Sequence, residues 1–105
     1  MERLKIIFKG RVQGVGFRYH ALRIANTYKL TGSVKNLYNG DVEVYLQGSR
    51  KNIDNFLEEI SNQRFVRIDS KDIIEVPIKN DENSFEILFW LWRNLIFGYI
   101  VDLWV

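Results

Sequence analysis

The stretch Gly10-Arg11-Val12-Gln13-Gly14-Val15-Gly16-Phe17-Arg18 leaves a chain like this few ways to fold. Before it, residues 3–10 alternate, with Leu4, Ile6 and Phe8 on one face, as in a half-buried strand. After it, Phe17, Ala21, Ile24, Ala25 and Tyr28 recur at helical spacing, marking a first helix over about 17–29. A strand must therefore pass into a helix within a few residues. Gly14 and Gly16 allow that tight path and let a ligand approach the backbone. No proline interrupts Gln13, Gly14, Val15, Gly16, Phe17 and Arg18, so their amides can face one concavity. Free N–H groups at a helix start attract an anion, and the guanidinium of Arg18 grips two phosphate oxygens at once. Two readings stand: a phosphate cradle, or a glycine-rich turn whose arginine makes a surface ion pair. Neither G-x-x-x-x-G-K-[ST] nor G-x-G-x-x-G is met here.

The remaining elements follow from periodicity and turn chemistry. Thr31-Gly32 ends the first helix and Ser33–Leu37 forms a short strand. Tyr38-Asn39-Gly40-Asp41 is a hairpin turn, with Asn-Gly suited to a type I′ loop. Val42, Val44 and Leu46 alternate on the returning strand. Ser49 caps a second helix over about 50–62, with its stripe at Ile53, Phe56, Leu57 and Ile60. Phe65–Ile68 and Ile73–Ile78 predict an interrupted fourth strand, with Pro77 near its end as at a sheet edge. Residues 80–83 form a loop and Ser84–Leu88 starts a fifth strand. The order β-α-β-β-α-β plus a final strand is the ferredoxin-like α+β arrangement, an antiparallel sheet with both helices on one face.

Composition narrows the chemistry. The 105 residues suit one domain, and a net charge of +2 without a basic block gives no support to a nucleic-acid partner. With no cysteine and His20 as the one histidine, thiolate nucleophiles and His-based zinc sites are excluded, and neither metal nor cofactor is expected. The N-terminus lacks a signal-peptide pattern and the expected location is cytoplasmic. His20 reads as a helix-surface or packing histidine, with a phosphate contact as its other role. Arg11 and Arg23 are expected on solvated faces, with Arg11 placed to steer anions.

A cradle acts on its ligand only with a second group. Asn36 shares a face with Val34 and emerges at the strand end, where its amide could hold a water. The competing role for Asn36 is to satisfy backbone near the hairpin. If Arg18 and Asn36 are a catalytic pair without metal, His or Cys, their reaction must yield to positioning and electrostatics. A carboxylic–phosphoric anhydride qualifies, because its carboxylate leaving group has a conjugate-acid pKa of roughly 4 to 5. Phosphate monoesters lack such a leaving group.

The segment Gly10–Arg18 resembles the first motif of the acylphosphatase family, G-x-V-Q-G-V-x-F-R. Gly32-Ser33-Val34-Lys35-Asn36, with Asn39-Gly40-Asp41-Val42-Glu43, resembles its second. The likeness covers about residues 4–88. It implies the ferredoxin-like fold and cofactor-free hydrolysis of a small-molecule acyl phosphate, with inorganic phosphate as product. It also implies Arg18 as phosphate binder and Asn36 as water positioner. Val12–Arg18 is also similar to the N-terminal domain of hydrogenase-maturation carbamoyltransferases, much longer proteins in which Pro-Phe typically follows the arginine; here Tyr19-His20 follows.

Family members usually stop near a segment like Phe85-Glu86-Ile87, so residues 1–90 read as the family domain and 91–105 as an apolar extension. That tail could cover the open sheet face or prolong the last strand. Alternatively it joins two copies, leaving monomer and tail-mediated homo-oligomer both open, or it is interfacial or foreign to the domain. Its apolar runs fall short of the ~20 residues of a membrane helix, so no membrane partner is expected. A non-catalytic phosphometabolite- or RNA-binding module of the same fold is the alternative function, with Tyr45 as a sparse aromatic platform.

Overall fold

A computed structural model of the chain describes residues 1–89. The elements run β1 (Glu2–Arg11), α1 (Phe17–Thr27), β2 (Thr31–Asn36), β3 (Val42–Gly48), α2 (Arg50–Ser61), β4 (Arg67–Glu75) and β5 (Phe85–Leu88). The strands form one sheet in the order β4-β1-β3-β2-β5. The pairs β1–β3, β1–β4 and β2–β3 are antiparallel, while β5 joins β2 in parallel, so the fifth strand makes the sheet mixed. This is the expected ferredoxin-like α+β fold. The expectations for the tail, residues 91–105, lie outside the described residues.

Alternation explains why both helices share one face. Leu4, Ile6 and Phe8 of β1, Val34 of β2, and Val42, Val44 and Leu46 of β3 all turn inward. They meet Phe17, Ala21, Ile24 and Ala25 of α1 and Ile53, Phe56 and Ile60 of α2 in one core. Each fully buried large aliphatic or Phe side chain contributes roughly 1.5–3 kcal/mol. Ser49 caps α2 as expected, its hydroxyl accepting from Asn52 N–H at 3.2 Å.

The opposite face is partly covered by the chain between β4 and β5. Arg3 is buried there, with Nη1 2.6 Å from Glu82 Oε1 and its guanidinium 5.0 Å from the Tyr45 ring centroid. The side-chain amide of Gln47 donates to Lys79 O and accepts from Lys79 N–H, and Thr31 Oγ1 donates to Glu82. Tyr45, the aromatic considered as a base platform, thus carries a guanidinium over its ring.

Four local expectations are corrected. The first helix stops at Thr27, before residue 29, because Lys29 turns left-handed (φ 56°). Lys29 N–H donates to Asn26 O, and Leu30 N–H to Ala25 O at 2.8 Å, the paired bonds of a Schellman cap. The hairpin is not type I′. Gly40 has φ 96° whereas Asn39 keeps a negative φ, and Gly40 N–H bonds Leu37 O. That is a turn closed by a single left-handed glycine, the three-residue hairpin form. The fourth strand is continuous across polar residues 69–72, because β4 is an edge whose residues face water almost throughout. Ile73 and Ile74 are exposed, and the neighbouring charges Lys71, Asp72 and Glu75 blunt that edge. Finally, Phe65 lies outside β4, in the turn that follows α2.

Candidate active site

Both ends of the glycine-containing loop are anchored in the core. Val12 and Phe17 are buried, and the Phe17 ring packs on Phe8 with centroids 5.2 Å apart. A register shift between Lys9 and Gly10 interrupts the β1–β4 pairing, which resumes at Gly10–Ile68 and Arg11–Arg67 just before the loop. Gly16 then starts α1 from a left-handed conformation (φ 80°, ψ 15°). An L side chain there would be strained by roughly 1–2 kcal/mol. No side chain caps this helix start, and its first turn holds no acidic residue. The amides and positive dipole end therefore meet neither a capping side chain nor a carboxylate from that turn.

Arg18 follows in the first turn and is fully buried. Its guanidinium carbon lies 5.1 Å from the centroid of the Phe89 ring. Phe89 directly follows β5, whose Leu88 pairs with Lys35 of β2. One step further along these parallel strands stand Asn36 and Phe89, so Arg18 and Asn36 occupy the same end of the sheet. Asn36 is buried and faces the helices with Val34, as alternation requires.

Gln13 has a role the sequence did not disclose. Its Nε2 donates to Leu37 O and to Asp41 O, each at 2.8 Å. Both amide protons are thus spent on the β2–β3 turn, tying the loop to the strand end that carries Asn36. The side chain of Gln13 is a clamp, and of its donors the backbone N–H is the one left for an anion. Asp41 is held in turn by Lys9 Nζ at 3.1 Å and by Asn39, whose Oδ1 accepts from Asp41 N–H.

Beside the loop lies an open groove of about 650 Å³, lined by Arg11, Gln13, Gly14, Val15 and Phe65. Phe65 was read from sequence as strand, and with Val66 and Ile68 beside it no local pattern sets it apart. Phe89 stands between the last strand and the apolar extension, and no local pattern links it to Arg18. A second cavity of similar volume on the opposite sheet face, around Arg3 and Tyr45, belongs to the Glu82 and Lys79 network and holds neither Arg18, Asn36, Phe65 nor Phe89.

His20 turns away from a ligand role in its visible contacts. Its Nδ1 accepts from Arg23 Nη2 at 3.3 Å. Burial, aided by the Arg23 charge, lowers its pKa below the ordinary 6.5, so the ring is neutral at pH 7. Arg23 also donates to Gln63 Oε1 at 3.0 Å, linking α1 to the end of α2. Among the described residues, no group of three or more His, Cys, Asp or Glu could hold a metal ion, and no helix is long and apolar enough to cross a membrane.

Fold and loop together define a small ferredoxin-like α+β domain whose first helix begins on a glycine loop with a buried arginine. Residues 4–87 match the acylphosphatase family model. The acylphosphatase of Clostridium acetobutylicum is 44% identical over 90 residues, covering 85% of this chain and 99% of that protein. The crystal structure of acylphosphatase from Bacillus subtilis superposes with a TM-score of 0.78 at 35% identity, over 84% of this chain and 99% of that one. T. kodakarensis HypF shares the fold at a TM-score of 0.74 and 32% identity, but the match spans only 12% of its length. This chain belongs to the acylphosphatase family.

Proposed function

We propose that the protein hydrolyses small acyl phosphates at the loop end of the sheet, with Arg18 and Asn36 as its catalytic residues. In this reading the amides of Gln13, Gly14, Val15, Gly16, Phe17 and Arg18 surround the phosphoryl oxygens, and the Arg18 guanidinium neutralises charge developing on them. The Asn36 amide orients a water in line with the departing carboxylate oxygen. The water oxygen bonds to phosphorus, the P–O bond to the acyl group breaks, and its electron pair leaves on the carboxylate. The attacking water loses its proton to solvent, giving inorganic phosphate. A leaving carboxylate with a conjugate-acid pKa of about 4–5 takes no proton in the step, so the site requires no general acid, metal or cofactor.

The observation carrying this reading is the delivery of a buried arginine, through an uncapped helix start, to the sheet end that bears Asn36. We further propose that residues 1–90 are the catalytic unit, that 91–105 are an extension, and that the protein works in the cytoplasm. Acetyl phosphate hydrolysis in the presence of a chelator tests the chemistry, with inorganic phosphate as competitor. Turnover should persist with chelator, while p-nitrophenyl phosphate should be nearly inert. Equal rates on both compounds would overturn the leaving-group argument. Gel-filtration sizing of a chain shortened after residue 90 beside the full chain decides between monomer and tail-mediated oligomer.

A further inference from the structure

Resting on that reading, we propose that the groove beside the loop receives the acyl group of the substrate and that Phe65 selects aromatic acyl phosphates. Gln13, Gly14 and Val15 belong both to the cradle and to the groove wall. A phosphoryl group held by their amides therefore has its acyl substituent beside this groove. Its volume of about 650 Å³ falls within the ~300–1,000 Å³ of small-molecule sites, far more than a methyl group fills.

Phe65 is the aromatic in that lining, and its placement is costly twice over. Its φ of 70° is a backbone conformation that bulky L residues rarely adopt. The residue is 65% exposed rather than packed in the core. The fold gains little from a large side chain there, since Gly or Asn would serve the turn better. The Arg64 guanidinium, 5.2 Å from the ring centroid, holds the ring by a cation–π contact. A steadied, solvent-facing aromatic at the rim of a roomy groove suits stacking against a flat acyl group. Phe65 is thus a specificity residue: it touches the part of the substrate that does not react.

The test compares kcat/KM for benzoyl phosphate and acetyl phosphate in the full chain and in Phe65→Ala, Phe65→Gly and Phe65→Tyr. Phe65→Ala should lower kcat/KM for benzoyl phosphate about fivefold, through KM at constant kcat, because stacking on the acyl group is uniform binding. The loss on acetyl phosphate, whose methyl group offers no ring to stack, should be smaller, so the benzoyl-to-acetyl ratio falls. Phe65→Gly, which suits the left-handed backbone, should behave as Phe65→Ala, and Phe65→Tyr should keep the preference. Parallel losses on both substrates, or an unchanged benzoyl-to-acetyl ratio with intact acetyl phosphate turnover, would overturn the role of Phe65 alone. A native chain inert toward both compounds would instead overturn the hydrolase reading, and this inference with it.

Discussion

Gln13→Glu probes what the Gln13 clamp does, because at nearly constant shape it replaces a donating nitrogen by an accepting, charged oxygen. In the native protein Nε2 gives one proton to Leu37 O and one to Asp41 O, each at 2.8 Å. A carboxylate in that position only accepts, so two donor–acceptor pairs become pairs of facing oxygens. Deleting the bonds, as in Gln13→Ala, costs about 0.5–1.5 kcal/mol each, or about 2 kcal/mol together. The loss is softened because both carbonyls keep a second donor, Gly40 N–H for Leu37 and Leu37 N–H for Asp41. Gln13→Glu should cost more than Gln13→Ala, since repulsion adds to the loss. For a domain of this size ~2 kcal/mol is a drop of about 10 °C in Tm. The effect on rate should be larger than on stability. Released from the β2–β3 turn, the loop would shift against Asn36, and a displacement of ~1 Å can lower rate about 100-fold. Urea unfolding and acetyl phosphate kinetics at pH 7 measure the two consequences separately. A Gln13→Glu or Gln13→Ala protein as stable and as active as the native chain would refute the argument, for it would mean that the amide protons carry nothing.

Other outcomes follow from individual side chains. Arg18→Lys should weaken competition by inorganic phosphate and lower kcat about 100-fold or more, because one ammonium cannot replace a planar fork. Asn36→Ala should keep phosphate inhibition while turnover falls by about 10²–10³, read from steady-state kinetics. Lys29→Gly should raise stability by about 0.5–1 kcal/mol in urea unfolding, since Lys29 occupies the left-handed position of the α1 cap (φ 56°). His20 has its pKa lowered by burial and then by Arg23. Its stabilising share is therefore complete above the unfolded value of about 6.5 and is lost as pH falls below it. His20→Gln should flatten the unfolding free energy between about pH 7 and 5.

Legibility differed between elements for physical reasons. The strand over β1, the start of α1 at Phe17, the Ser49 cap and the β-α-β-β-α-β order depend on residues within a few positions of each other, and the chain displays them directly. Asn36 was placed on the helix-facing side by alternation with Val34, which needs no knowledge of distant contacts. The break read into β4 shows where this fails: polar residues 69–72 look like an interruption only if the strand is assumed half-buried, and an edge strand is not. Asn39-Gly40 carries a turn signal that two hairpin forms share, and the loop length chosen by β2–β3 pairing decided between them.

By itself, then, the sequence determined the succession of elements, the glycine loop that turns a strand into a helix, and the face on which Asn36 would lie. Only the tertiary structure decided the partners across the chain: Gln13 on the carbonyls of Leu37 and Asp41, Phe89 over Arg18, Phe65 beside Gly14, and β5 parallel to β2. The reason is the range of the forces that leave a trace in sequence. Periodicity and turn preference act between near neighbours, whereas a hydrogen bond or ring contact between residues 24 or more positions apart is selected by packing of the whole sheet and leaves no local pattern.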